Sequence, residues 1–274
     1  MLPFTPLIAP LFVTATRTDR IGKAAQSGAD AIIVDLEDAV PAPEKIAARQ
    51  GLAAWFNALS TPPDVPVFIR INAVGSAWFA DDLTLVRSAK VAGVMLPKTE
   101  SAEDIMAVGE DMHVIGLIES AVGVVSLPDI CRAPNLRQLA FGSIDYALDL
   151  GCSETREALL LARLSMVTHS RAQGLPSPVD GVTVSVKDVN MIRSDVDYAK
   201  SLGFGGKLAI HPNQIAIVRT ALRPSDEDLN WARRVCRLDS ESNGATVLLE
   251  GSMIDTPVIE KARQILNRAG LTDV

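Results

Sequence analysis

Short apolar runs alternate with longer amphipathic stretches along most of this chain. Val114–Ile118 and Leu136–Phe141 are the clearest runs, too short for helices and rich in β-branched and large apolar residues, so they read as buried strands. The same pattern predicts strands at 7–13, 31–36, 65–71, 93–96, 178–182 and 207–210. Between them, helical periodicity predicts helices at 19–27, 43–59, 78–90, 102–108, 122–132, 154–173 and 188–202. Parallel strands joined by right-handed crossovers follow from this order. About eight such units in about 210 residues fit a (β/α)8 TIM barrel of the α/β class better than an open sheet. The barrel is expected over residues 1–222.

Pro224-Ser225-Asp226 breaks the alternation. Ser225 can cap a helix reaching about residue 242, with Glu227 and Asp228 suited to its first turn. Asn243-Gly244 marks a turn, 246–249 a short strand and 256–269 a last helix. This C-terminal helical extension, 223–274, is too small for a core of its own. It is expected to pack on the barrel or on an adjacent subunit.

In a barrel the C-terminal strand ends converge on one mouth. Here they carry Glu37 and Asp38, Arg70, Lys98, Glu119, Asp145, Asp180 and His211. Glu119 and Asp145 each stop an apolar run, and two acids on neighbouring strand ends can share a hard cation through oxygen ligands. Each can equally serve as a first-turn acid of the helix that follows. Arg70 can be a structural ion pair, Lys98 a partner of Glu119 or Asp38, and His211 a hydrogen-bonded wall residue. Gly203-Phe204-Gly205-Gly206 is a candidate phosphate loop on the eighth unit. A carboxylate-bound cation with one arginine suits enolate chemistry: the cation polarises a hydroxy- or oxo-acid, and the arginine takes charge developing on a second oxygen.

Bulk properties narrow the classes. The chain has 274 residues, 48% hydrophobic and 22% charged, which is globular rather than disordered. A net charge of −7 without a long basic run argues against nucleic acid as the main partner. No stretch reaches the length of a membrane span, and the apolar start lacks a basic leader region, so a first strand and a cytoplasmic location are expected. Cys131, Cys152 and Cys236 are widely spaced and form no CxxC, which reads as reduced thiols. There is no zinc motif, P-loop, GxGxxG or GxSxG.

An ordered set of motifs resembles the citrate lyase β-subunit-like (HpcH/HpaI aldolase/citrate lyase) family, which includes malyl-CoA, citramalyl-CoA and citryl-CoA lyases. The set comprises Leu11-Phe12-Val13, Gly28-Ala29-Asp30-Ala31, Asp35-Leu36-Glu37-Asp38-Ala39-Val40 and Arg70-Ile71-Asn72. It continues with Leu96-Pro97-Lys98, Leu117-Ile118-Glu119, Phe141-Gly142 with Asp145, and Asp180-Gly181-Val182. Gly206-Lys207, Ala209-Ile210-His211-Pro212 and Met253-Ile254-Asp255 complete it. The resemblance implies a Mg2+-dependent (or Mn2+-dependent) lyase that breaks or forms a carbon–carbon bond beside a CoA thioester, with a 2-oxo acid as the other product. It implies Glu119 and Asp145 as metal ligands, with Glu119 also at the substrate, and Arg70 as substrate-binding group and enolate stabiliser. It implies Glu37 and Asp38 on metal-bound water, with Lys98 beside them. It further implies Asp255 as an acid/base supplied by the adjacent subunit of a homotrimer or hexamer.

Two departures stand out. Ile8-Ala9 and Thr14-Ala15 occupy places where the family usually carries Arg-Ser and Pro-Gly around the first strand, which helps hold CoA. Ile144 replaces an acidic residue common before the metal aspartate. The alternatives are therefore a metal-dependent aldolase acting on free hydroxy-oxo acids and a non-catalytic CoA- or acid-binding subunit.

Overall fold

Eight strands form one parallel sheet in sequential order in the computed structural model, which describes residues 4–61, 63–242, 247–249 and 252–271. They are β1 (Leu11–Thr14), β2 (Ile32–Asp35), β3 (Val67–Arg70), β4 (Gly93–Leu96), β5 (Val114–Ile118), β6 (Leu136–Phe141), β7 (Val179–Asp180) and β8 (Gly206–Lys207). The sheet closes on itself. Leu11 bridges Ala209 in parallel, Phe12 N donates to Ala209 O, and Lys207 N donates to Ile8 O. The TIM-barrel expectation thus holds. The chain divides into two compact units, Met1–Arg219 and Thr220–Val274.

Side chains of alternate residues fill the barrel interior: Ile33, Phe68, Met95, Ile115, Leu117, Ala140, Val179 and Leu208 form one buried cluster with Leu7 and Ala31. Strand alternation then decides what reaches the mouth. Asp35 continues the inward face of Ile33, Arg70 that of Phe68, and Glu119 that of Leu117. Asp180 and Lys207 do the opposite, because Val179 and Leu208 point inward beside them. Asp180 is therefore not a mouth residue, a correction to the reading of strand ends. It is buried between Arg163, whose Nε donates to it at 2.9 Å, and Lys207, whose Nζ lies 3.1 Å away. The carboxyl stays below the usual range, the two cations outweighing the opposing effect of burial. This triad ties together the two shortest strands, which have few ladder bonds of their own. Gln138 does similar work, accepting from Leu7 N and donating to Leu7 O and Ser177 O.

The 203–206 loop is no phosphate cradle. It leads into β8, whose first residue is Gly206, at the barrel end opposite the mouth. Gly203 closes the helix Val189–Leu202 in the left-handed region at φ +104°, and Phe204 is buried. A Cβ on Gly206 would stand 2.6 Å from the Leu7 carbonyl oxygen, so this glycine allows the sheet to close.

Most predicted helices are present but trimmed, and the expected 122–132 helix is two short ones, Ala121–Val125 and Leu127–Ile130. The expected 154–173 helix starts only at Leu160 (Leu160–Ala172), and the first crossover is a 3₁₀ turn, Ala15–Arg20, leading into Ile21–Ala25. Contrary to expectation the second unit has a small core of its own, which includes Val235, Ile254 and Leu266, between the helices Asp226–Ser242 and Thr256–Arg268. A hairpin of Val247–Leu249 and Ser252–Ile254 joins them, its second strand not anticipated from the sequence. The Asn243-Gly244 turn lies outside the described residues. No described helix is long and apolar enough to cross a membrane. Cys131, Cys152 and Cys236 are free thiols.

Candidate active site

A pocket of about 510 Å³ opens at the C-terminal ends of the strands, lined among others by Asp35, Asp38, Arg70, Glu119 and Asp145. Its charged wall is built on β2 and β3, whose register sets Asp35 beside Arg70. The Arg70 fork grips Asp35 with both arms, Nε to Oδ1 at 2.8 Å and Nη2 to Oδ2 at 2.6 Å. Its remaining nitrogen, Nη1, lies 3.3 Å from Glu37 Oε2 and 3.4 Å from Asp38 Oδ2. The guanidinium also stacks over Phe12 at 5.0 Å. Burial opposes its charge, but Asp35, Glu37 and Asp38 hold the pKa above the usual arginine value. Asp35 in turn accepts the backbone N–H groups of Glu37 and Ala39, which fixes the loop bearing the other two acids. Lys45 supports the loop from below, donating to the carbonyls of Leu36 and Glu37.

Glu37 is buried, and its carboxyl is raised to about 7, chiefly by burial, with Arg70 opposing and Asp38 and Asp35 adding repulsion. Asp38 is more open, at 54% side-chain exposure. Lys98 adopts a left-handed backbone, φ +48°, unusual for a residue with a Cβ. The turn aims its backbone N–H at Glu119 Oε1, 2.7 Å away. Its ammonium group is half exposed and sits 3.7 Å from Glu37. The main chain of Lys98, rather than its charge, is what contacts Glu119.

Glu119 is 3% exposed, and its second oxygen, Oε2, is buried without a hydrogen-bond partner. Burial lifts this carboxyl to about 8; the Lys98 N–H pulls it down, and Glu37 and Asp145 push it up further. A carboxylate left this way costs free energy unless a cation meets it. Asp145 lines the same pocket, but not from a strand end as expected. It stands in the first turn of a helix, Ser143–Leu150, as the alternative reading of this acid had it, although the hydrophobic pattern did not mark that helix. Its pKa is also raised, mainly by burial and then by Asp38. Among the described residues no group of three His, Cys, Asp or Glu side chains is arranged to hold a metal. Two carboxylates, one with an orphaned oxygen, nevertheless fit a hard cation such as Mg2+, which takes one or two protein carboxylates and fills its remaining positions with water and substrate.

Gly142 makes room for this arrangement. A Cβ there would lie 2.5 Å from Glu119 Cβ and 2.6 Å from Oε2. Gly142→Ala should therefore lower stability by about 1–3 kcal/mol, the usual cost of overpacking, measured by urea denaturation. Unchanged stability would show that Glu119 has space to move aside.

The structure thus brings Asp38, Arg70, Glu119 and Asp145 together in one pocket, with Glu37 and Lys98 directly behind. Asp35, the main partner of Arg70, is among the acids closing the second strand but was given no role at the mouth, although its inward alternation from Ile33 points there. His211, expected as a wall residue, is not among the residues lining the pocket; its Nδ1 accepts from Asn213 N. Asp255 belongs to the second unit, where its side chain caps the helix Thr256–Arg268 by accepting from Val258 N.

Comparison with known proteins follows the same lines. The family model described as HpcH/HpaI aldolase/citrate lyase matches residues 9–212. A citrate lyase subunit beta-like protein of Mycobacterium tuberculosis is 37% identical over 268 residues, covering 95% of this chain and 94% of the relative. A (3S)-malyl-CoA thioesterase of Cereibacter sphaeroides is 30% identical over 273 residues, covering 96% and 95%. Among solved structures, protein CitE of M. tuberculosis in complex with magnesium, acetoacetate and coenzyme A superposes with a TM-score of 0.86 at 35% identity, over 96% of this chain and 98% of that one.

Proposed function

The chain belongs to the HpcH/HpaI aldolase/citrate lyase family and is an enzyme of the lyase type; from that premise we propose that it cleaves, or forms, a 3-hydroxyacyl-CoA such as malyl-, citramalyl- or citryl-CoA, giving an acyl-CoA and a 2-oxo acid through an enolate. One observation carries the reading: the buried, unpartnered Oε2 of Glu119 shares a pocket with Asp145 and the Arg70 fork. Magnesium accompanies coenzyme A and an oxo acid in the similar M. tuberculosis structure, which supports Mg2+ as the cofactor here. Glu119 and Asp145 would hold it. Bound there, it supplies Lewis-acid polarisation of the substrate's hydroxyl and carboxylate oxygens.

The residues divide the remaining work. The hydroxyl proton leaves to Glu37, whose pKa near 7 suits a base at neutral pH. Glu37 does not line the pocket, so the proton reaches it through water. The carbon–carbon bond then breaks, and its electron pair moves into the thioester to form an enolate. Arg70, held rigid by Asp35, presents fixed positive charge to the enolate oxygen. Asp255 of an adjacent subunit protonates the enolate carbon. Turnover of a panel of malyl-, citramalyl- and citryl-CoA, with detection of both products, tests the reading; no cleavage of any member would refute it. Binding of CoA with and without Mg2+ separates it from an aldolase acting on free acids. Thioester hydrolysis is a second reading, favoured by a carboxyl poised near 7 beside Arg70 and by the likeness to a malyl-CoA thioesterase.

Cation binding should depend steeply on pH. Glu119 sits at about 8 in the folded, metal-free chain against an ordinary 4.5. Between those values the unfolded chain has released a proton that the folded chain keeps, so metal-free stability falls as pH rises through this window. A cation needs the ionised form, so Mg2+ affinity should climb up to about pH 8 and level off beyond. Calorimetry at about pH 6.5 in two buffers of different ionisation enthalpy should show release of about one proton per cation. Affinity independent of pH would contradict the assignment of Glu119.

Asp255 gives a separate expectation. Asp255→Asn and Arg70→Ala chains, each inactive alone, should regain partial activity when mixed and allowed to exchange subunits. Sites would then combine Arg70 from one chain with Asp255 from another. No recovery, or a monomer in solution, would refute delivery across subunits.

A further inference from the structure

The pocket lining holds two kinds of group: Asp35, Asp38, Arg70, Glu119 and Asp145 are charged, while Ile144, Val182, Leu208 and Ile210 are aliphatic. Ile144 and Ile210 are 43% and 41% exposed, so these large apolar groups present open surface at the pocket rather than filling the core. Ile144 directly precedes Asp145 on the first turn of the same helix, and both line the pocket. Cations are scarce. Arg70 is the one basic residue among the described residues that line the pocket; it is held by Asp35, and the lyase reading assigns its charge to the enolate oxygen. Lys98 lies outside the lining and faces Glu37.

A substrate's acid end needs one carboxylate for the cation. A second would meet alkyl side chains and four acids. Resting on the lyase reading above, we infer that the acid end is a 2-hydroxy or 2-oxo monocarboxylate bearing a small alkyl substituent, seated on Ile144, Val182 and Ile210. The oxo acid released is then a simple 2-oxoalkanoate, neither the unsubstituted acid nor a dicarboxylic one. One methylene in an apolar pocket discriminates by about 10- to 200-fold, and a methyl group on open isoleucine surface falls at the lower end of that range.

The test compares glyoxylate, pyruvate, 2-oxobutyrate and oxaloacetate in two ways with Mg2+ present: binding by calorimetry, and condensation with acetyl-CoA. It uses the wild type, Ile144→Ala and Ile144→Lys, both at an exposed position that tolerates change. Pyruvate or 2-oxobutyrate should exceed glyoxylate by about tenfold and oxaloacetate by more. Ile144→Ala should shrink the alkyl advantage, and Ile144→Lys should raise oxaloacetate relative to pyruvate. A wild-type preference for glyoxylate or oxaloacetate, or ratios unmoved in both variants, would overturn the inference while leaving the lyase reading intact. Failure of every acid both to bind and to react would remove the lyase reading, and the inference with it.

Discussion

Asp145→Ala and Glu119→Ala are each expected to lose at least about 10³-fold in kcat/KM and to lose the dependence on Mg2+. A Lewis acid beside a reacting oxygen contributes several kcal/mol, and about 1.4 kcal/mol is a factor of ten. With two protein carboxylates at the proposed site, removing either leaves too little to compete with water for the cation. The fold should survive. Asp145 is half-buried in the first turn of a surface helix, and Glu119 is a carboxylate whose burial already disfavours its charge. Glu119→Gln makes a cleaner control, since its amide oxygen can still accept the Lys98 N–H. Metal-free Glu119→Gln should match or exceed the wild type in thermal stability near pH 8 while binding Mg2+ far more weakly. Thermal unfolding checks the first point and calorimetric titration the second, and wild-type affinity retained in all three variants would sink the metal assignment.

Arg70→Lys is expected to lower kcat by about 10²–10³, the range seen when one fixed donor to a developing oxyanion is removed. Lysine keeps the charge but has a single nitrogen. It cannot grip both oxygens of Asp35 while also lying near Glu37 and Asp38 as Arg70 does. The substitution should also cost stability, because buried carboxylates lose partners. The two effects separate by condition. A purely structural role would lower the melting temperature and leave kcat near wild type at a temperature where the variant is folded. The proposed role lowers kcat there too. A folded Lys variant within a few-fold of wild type would show that Arg70 only holds Asp35.

Much of this was legible in the sequence because barrel strands are short, apolar and periodic. The expected spans at 93–96, 114–118 and 136–141 coincide with β4, β5 and β6. Strand ends were a fair guide to the pocket for Arg70 and Glu119, which continue inward-facing positions. They misled at Asp180, where the same count places the carboxylate towards the helices and into an ion triad. Asp145 was found for an incomplete reason: its helix begins immediately after Gly142, with neither a proline nor a side-chain cap to announce it. The left-handed turn at Lys98 left no local trace either; it goes with a contact between its N–H and Glu119, on the next strand's end. Such features depend on how separate strands converge, which hydrophobic periodicity does not encode.

Product accounting on a single thioester tests the central claim most directly. With citramalyl-CoA and Mg2+, the account predicts that pyruvate and acetyl-CoA appear in equal amounts, with no free thiol, and that a chelator abolishes both. Release of free CoA with the hydroxy acid intact would identify hydrolysis of the thioester instead and contradict carbon–carbon cleavage.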